Sequence, residues 1–168
     1  MTQDEGRFGR INIPKSSWAP KGIRPKVAKQ IVRNSIYVYS AVVPQSGQLL
    51  SLVLPYCNTE MMSIFLEYIS KEFSNNSIIM QVDGAGWHKS KSLIIPDNIY
   101  FIFQPPYSPE VNPTEHIWEE LREKYLQNKV YKSIDETIYN VCKGLKEMSC
   151  KPKMIKSMTN FPYLNFLY

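Results

Sequence analysis

At 168 residues and 43% hydrophobic, the chain suits one globular domain with a sizeable core. No apolar run reaches the roughly eighteen residues of a membrane span and the polar start is no signal peptide, so a cytoplasmic protein is expected. The net charge of +5 is local: eight of the twenty basic residues and none of the fifteen acids lie between Gly6 and Thr59. Those eight are Arg7, Arg10, Lys15, Lys21, Arg24, Lys26, Lys29 and Arg33. A one-sided basic segment is the footprint of a phosphate-backbone ligand, although a merely solvated surface is the plainer reading. Three cysteines, Cys57, Cys142 and Cys150, lack the paired spacing of a zinc site and read as reduced thiols.

The opening MTQDEGRFGR has few apolar residues beyond Phe8 and reads as the remnant of a strand. KSSWAPKGIRP, residues 15–25, is a proline-punctuated loop with Trp18 as an anchor. Ser35–Val43 and Gln48–Leu54 predict a hairpin across the Pro44–Gly47 turn. Helical spacing then runs from Met61 to Phe73 behind an Asn58 cap. Ser77–Val82 predicts a buried central strand, His88–Leu93 a helical turn or two, and Ile99–Phe103 a second buried strand. Pro113 opens a helix with Trp118, Leu121 and Tyr125 inward, and Ser133–Glu136 is a capping box before a last amphipathic helix. The tail from Lys151 to Tyr168, basic and then aromatic, takes no assignment and is set apart from a domain over residues 1–150. Hairpin strands followed by alternating strands and helices predict an α/β fold with a mixed sheet.

Three acids stand where such a sheet could gather them. Asp83 follows the most buried strand, Glu115 lies in the first turn of the Pro113 helix, and Asp4 lies near the start. Hard oxygen ligands of this kind suit a pair of Mg²⁺-like ions that clamp an in-line phosphoryl transfer. Each acid also has a plainer reading: an Asp-Gly turn for Asp83, a helix cap for Glu115, and a solvated terminus for Asp4. His88 and His116 are too few and scattered for zinc and suit a supporting or phosphate-contacting place, while Trp87 and Trp118 read as core.

These residues resemble the catalytic domain of the mariner-like insertion-sequence transposases, within the DDE superfamily. The resemblance is carried by Asp4-Glu5 with Arg7-Phe8-Gly9, by WAPKG and Arg24-Pro25, by VDGAGWHKS around Asp83 and by PPYSPEVNPTEHIW around Glu115. Thirty-one residues separate Asp83 from Glu115, close to the spacing of that family. The resemblance implies a ribonuclease-H-like fold and two Mg²⁺ or Mn²⁺ ions, with Asp4 shared between them and Asp83 and Glu115 each completing one. It implies cleavage of double-stranded DNA at a transposon end, strand transfer to a target, and a nucleoid-associated place of work. The DNA contacts it implies are Arg7, Arg10, Lys21, Arg24, Lys26, His88 and Lys89. A homodimer and a separately encoded helix-turn-helix portion are the partners it suggests, since only Met1-Thr2-Gln3 precede Asp4 and the first strand is expected to be truncated. A catalytically silent DNA-binding remnant and a structure-selective nuclease of the same fold are the alternatives.

Overall fold

In the computed structural model, residues 1–162 are described apart from Ile13, Ser17 and Tyr107. The aromatic end of the tail, residues 163–168, lies outside them. Five strands form one sheet: β1 (Thr2–Ile11), β2 (Ile31–Val43), β3 (Gln48–Leu54), β4 (Ile78–Val82) and β5 (Ile99–Phe103). Their order is β3-β2-β1-β4-β5, with β1–β2 and β2–β3 antiparallel and β1–β4 and β4–β5 parallel. The mixed sheet expected from the sequence is therefore present, flanked by helices on both faces.

The opening segment is more than a remnant. It forms a ten-residue strand at the centre of the sheet, in register with β2 from Thr2↔Val42 to Gly9↔Ser35. Its poverty in apolar residues has a local cause. Thr2, Asp4, Gly6 and Phe8 alternate onto one face and Gln3 and Glu5 onto the other, so its middle carries polar groups that neighbouring elements satisfy. Against β4 the strand is short-handed: the two share the single pair Thr2↔Gln81.

Each face of the sheet has its own core. Helix α1 (Thr59–Glu72) is capped by Asn58, whose side chain accepts the Met61 N–H at 2.9 Å. Met62, Phe65, Leu66 and Ile69 of α1 pack with Tyr39, Ala41, Ile78, Met80 and Val82. On the opposite face lie α2 (Thr114–Leu121), α3 (Ile134–Ser149) and α4 (Pro152–Thr159). There Ile117, Trp118, Leu121, Val141, Leu145, Met148 and Ile155 close over Phe8, Val38 and Val42. Ser133 accepts the Glu136 N–H at 3.1 Å while Glu136 reaches back to the Lys132 N–H at 2.7 Å, which is the capping logic read from the sequence.

Two local features differ from expectation. His88–Leu93 forms successive tight turns, closed by His88 N–H to Ala85 O and Leu93 N–H to Ser90 O, and no helix. Glycines at 84 and 86 and the nearby Pro96 leave too short a run to nucleate one. The tail from Pro152 makes α4, whose fully buried Ile155 packs against the core formed by α2, α3 and β3. Among the described residues, no helix is long and apolar enough to cross a membrane. The three cysteines are free thiols.

Candidate active site

The site is built from β1, the end of β4 and the start of α2. Register fixes the first two. β1 and β4 run parallel and share the pair Thr2↔Gln81, which lies two residues before Asp4 on β1 and two before Asp83, the residue just past the β4 terminus. Helix α2 is then laid along β1. Thr2 Oγ1 and Thr114 Oγ1 lie 3.2 Å apart in the buried interface, and one turn later the Trp118 indole N–H donates to Asp4 Oδ2 at 2.8 Å. Gly6 permits this approach, because a Cβ there would stand 2.9 Å from the Trp118 ring. Asp4 and Glu115 thus come to one face of the sheet, near enough for their charges to oppose each other.

Electrostatics mark Asp4 as the unusual carboxylate. Burial pushes its carboxyl up to about 7; the Trp118 hydrogen bond works against that rise, and the charges of Glu115 and Glu5 add to it. No salt bridge to Asp4 is present among the described residues. Glu115 is half-buried, and the cap of α2 does not depend on it: the Asn112 side chain accepts the Thr114 N–H at 3.1 Å.

Asp83 is held differently. Its Oδ1 accepts the Ala85 N–H at 2.9 Å, the Asx-turn geometry anticipated for an Asp-Gly turn. The same oxygen lies 2.7 Å from His88 Nδ1, which also stands 3.2 Å from the Asp83 carbonyl oxygen. The His88 bond holds the Asp83 carboxyl below its usual range. On its far side, His88 Nε2 meets Glu5 Oε1 at 3.0 Å. Burial alone would lower the imidazole; the bonds to Asp83 and Glu5 outweigh it and raise His88 to about 9.

This corrects the expectation that His88 contacts DNA. It is 3% exposed, and both ring nitrogens already face carboxylates, which leaves no donor for a phosphate. The other expected contacts divide in two. Arg7, Lys21, Arg24, Lys26 and Lys89 are exposed, three of them on the long arm that leaves β1 and returns to β2. Arg10 is half-buried, with its Nε donating to the Tyr131 carbonyl at 3.0 Å. Lys89 Nζ sits 5.4 Å above the Phe103 ring beside the acid end of the sheet.

Sequence reasoning missed Glu5, and it placed Trp118 in the core alone. The alternation of β1 could have signalled the first: adjacent acids on a central strand must face opposite sides, so the second needs a buried partner of its own.

The donor chemistry fits a hard divalent ion. Asp4 and Glu115 lie near enough for their charges to oppose each other, and a cation would offset the buried Asp4 charge. Among the described residues, no group of three or more His, Cys, Asp or Glu side chains stands where it could hold a metal ion. Mg²⁺ needs only one or two carboxylates beside water and phosphate oxygens, so pairs of acids suffice.

Comparison with known proteins gives three likenesses. The family profile described as DDE superfamily endonuclease matches residues 1–138. An uncharacterized protein, y4pE/y4sA of Sinorhizobium fredii (strain NBRC 101917 / NGR234), is 37% identical over 123 residues, covering 73% of this chain and 91% of its own. Among solved structures, the Mos1 transposase paired-end complex with left transposon end superposes with a TM-score of 0.60 at 13% identity, over 95% of this chain and 55% of that one. The Mos1 strand transfer complex gives 0.59 at 13% identity, over 95% and 54%. The chain thus spans about half the length of the solved chains it matches.

Proposed function

Because the chain belongs to the DDE superfamily endonucleases, we propose that it is a transposase catalytic domain that cuts a DNA strand at an element's end and joins the freed 3′-hydroxyl to target DNA. What supports this reading is that Asp4 on β1 and Glu115 on α2 lie close enough for their charges to oppose each other, with Asp83 just past the end of the parallel strand β4. Two divalent ions, Mg²⁺ or Mn²⁺, would activate the attacking oxygen and offset charge on the leaving one. Asp4 and Asp83 would hold one ion and Asp4 and Glu115 the other. Trp118 fixes the Asp4 carboxylate for that task, and the exposed cations of the β1–β2 arm hold the DNA backbone without reading its sequence. The Mos1 structures that share this fold hold transposon ends, and one carries Mn, which supports DNA and metal here. Paired ends call for a second copy of the chain, and end recognition for a helix-turn-helix portion at the nucleoid.

The test is nicking of supercoiled plasmid by the purified chain with Mg²⁺, with Mn²⁺ and with EDTA, alongside Asp83→Asn and Glu115→Gln. Metal-dependent nicking that vanishes in both variants, with DNA affinity kept, supports the reading. Nicking that survives either substitution sinks the assignment. A wild-type chain that binds DNA but never nicks it would favour a silent remnant.

A further inference from the structure

The two acids that open the site face opposite sides of β1. Asp4 turns to α2, whereas Glu5 turns to the α1 side with only 4% of its side chain exposed. A carboxylate so placed is costly unless paired, and its Oε1 takes both the Gln3 amide at 2.9 Å and His88 Nε2 at 3.0 Å. His88, with 1% of its side chain exposed, carries the connection to Asp83 Oδ1 at 2.7 Å. The result is a buried Glu5–His88–Asp83 strut between the central strand and the loop that follows β4.

We propose that Glu5 and His88 are positioning residues for the metal site, bracing Asp83 level with Asp4 and committing its Oδ1 so that Oδ2 is the oxygen left for a divalent ion. This rests on the metal-dependent reading above. The strut is needed because the backbone pairing stops short of the acids: β1 and β4 share the pair Thr2↔Gln81, Met1 bonds to Ile79 and Gln81, and Asp83 lies beyond the last residue of β4. The Ala85 N–H fixes Asp83 only to its own loop, whereas His88 ties it to β1. Residues that orient a ligating group in this way commonly alter metal affinity by ten- to a hundredfold when replaced.

The experiment titrates Mn²⁺ into the full chain and follows the free ion by electron paramagnetic resonance, for wild type, Asp83→Asn, Glu5→Gln and His88→Gln. Glu5→Gln keeps an oxygen acceptor for both Gln3 and His88 and removes only the charge. Each strut variant is expected to weaken Mn²⁺ binding about tenfold or more, with DNA affinity in EDTA within twofold of wild type. The double variant should be little worse than either single one, since the two residues act in series. A folded Glu5→Gln chain that binds Mn²⁺ like wild type overturns the proposal. If His88→Gln fails to fold, His88→Gly with added imidazole replaces it. Recovery of Mn²⁺ binding with imidazole, at concentrations that leave wild-type binding unchanged, supports the strut, and no recovery in a folded His88→Gly chain overturns it. Unchanged Mn²⁺ binding in Asp83→Asn would instead overturn the metal-site reading itself.

Discussion

Trp118 Nε1 donates to Asp4 Oδ2 at 2.8 Å, so the largest fully buried side chain also fastens the first carboxylate of the site. Packing and chemistry are joined in one residue. Trp118→Phe keeps most of the apolar volume and removes the donor. The Asp4 carboxyl should then titrate above its present value of about 7, and the pH at which Mn²⁺ binding is half-developed should move up with it. A stability loss of about 1–3 kcal/mol is expected from the smaller ring and lost bond together. Mn²⁺ titrations across pH and urea denaturation check the two effects separately.

Without metal, the chain should lose stability as the solution turns alkaline. Asp4 titrates at about 7 when folded, against 3.8 for an ordinary aspartate, so the folded state holds the extra proton between them. Its stabilising contribution is full below the lower value and lost as pH rises through the higher one. His88 acts in the same direction, its contribution full below 6.5 and lost as pH climbs through about 9. Asp4→Asn should therefore flatten the decline between about pH 4 and 7 and raise metal-free stability at pH 8 by on the order of 1–3 kcal/mol. Melting curves in EDTA at stepped pH would show it. A variant that declines as steeply as wild type contradicts the assignment of that slope to Asp4.

Gly6→Ala tests the approach of α2 to β1. Its Cβ would fall 2.6 Å from the Phe8 ring and 2.9 Å from the Trp118 ring, both inside the core. Neither ring can swing away cheaply, so a loss of about 1–3 kcal/mol is expected, with Asp4 displaced from Trp118. Chemical denaturation gives the first, and weakened Mn²⁺ binding by the folded fraction gives the second.

DNA binding should sort the cations by their surroundings. Lys21, Arg24 and Lys26 are exposed on the β1–β2 arm, and replacing one with Gln should lower the slope of log affinity against log salt by roughly 0.9 with little change in stability. Arg10 anchors the Tyr131 carbonyl, so Arg10→Gln should lower the melting point as well. Equal slopes for wild type and all three arm variants would remove the arm from the DNA surface.

The order of elements, both hairpin strands and the α1 and α3 caps are legible in the sequence because each depends on local signals. Asn58, Ser133 and the β-branched run at Ser35–Val43 act within a few residues of themselves. What the sequence conceals is set by pairing at a distance. The alternation of β1 makes Glu5 a buried group, and its partner His88 comes from eighty-three positions away. The same long-range bond turns His88 from a plausible phosphate contact into an interior residue. The tail is concealed for a similar reason: α4 is amphipathic, but only the surface offered by α2, α3 and β3 shows which side it buries.

The single backbone pair between β1 and β4 divides the sheet into two leaves, β3-β2-β1 and β4-β5. Asp4 belongs to one leaf and Asp83 to the other. Any ion held by both acids would therefore act as a clasp across the seam, and the amides of Ile79–Val82 should exchange hydrogen more slowly once it is fastened. The fold leaves for its chemistry a joint that the backbone scarcely closes.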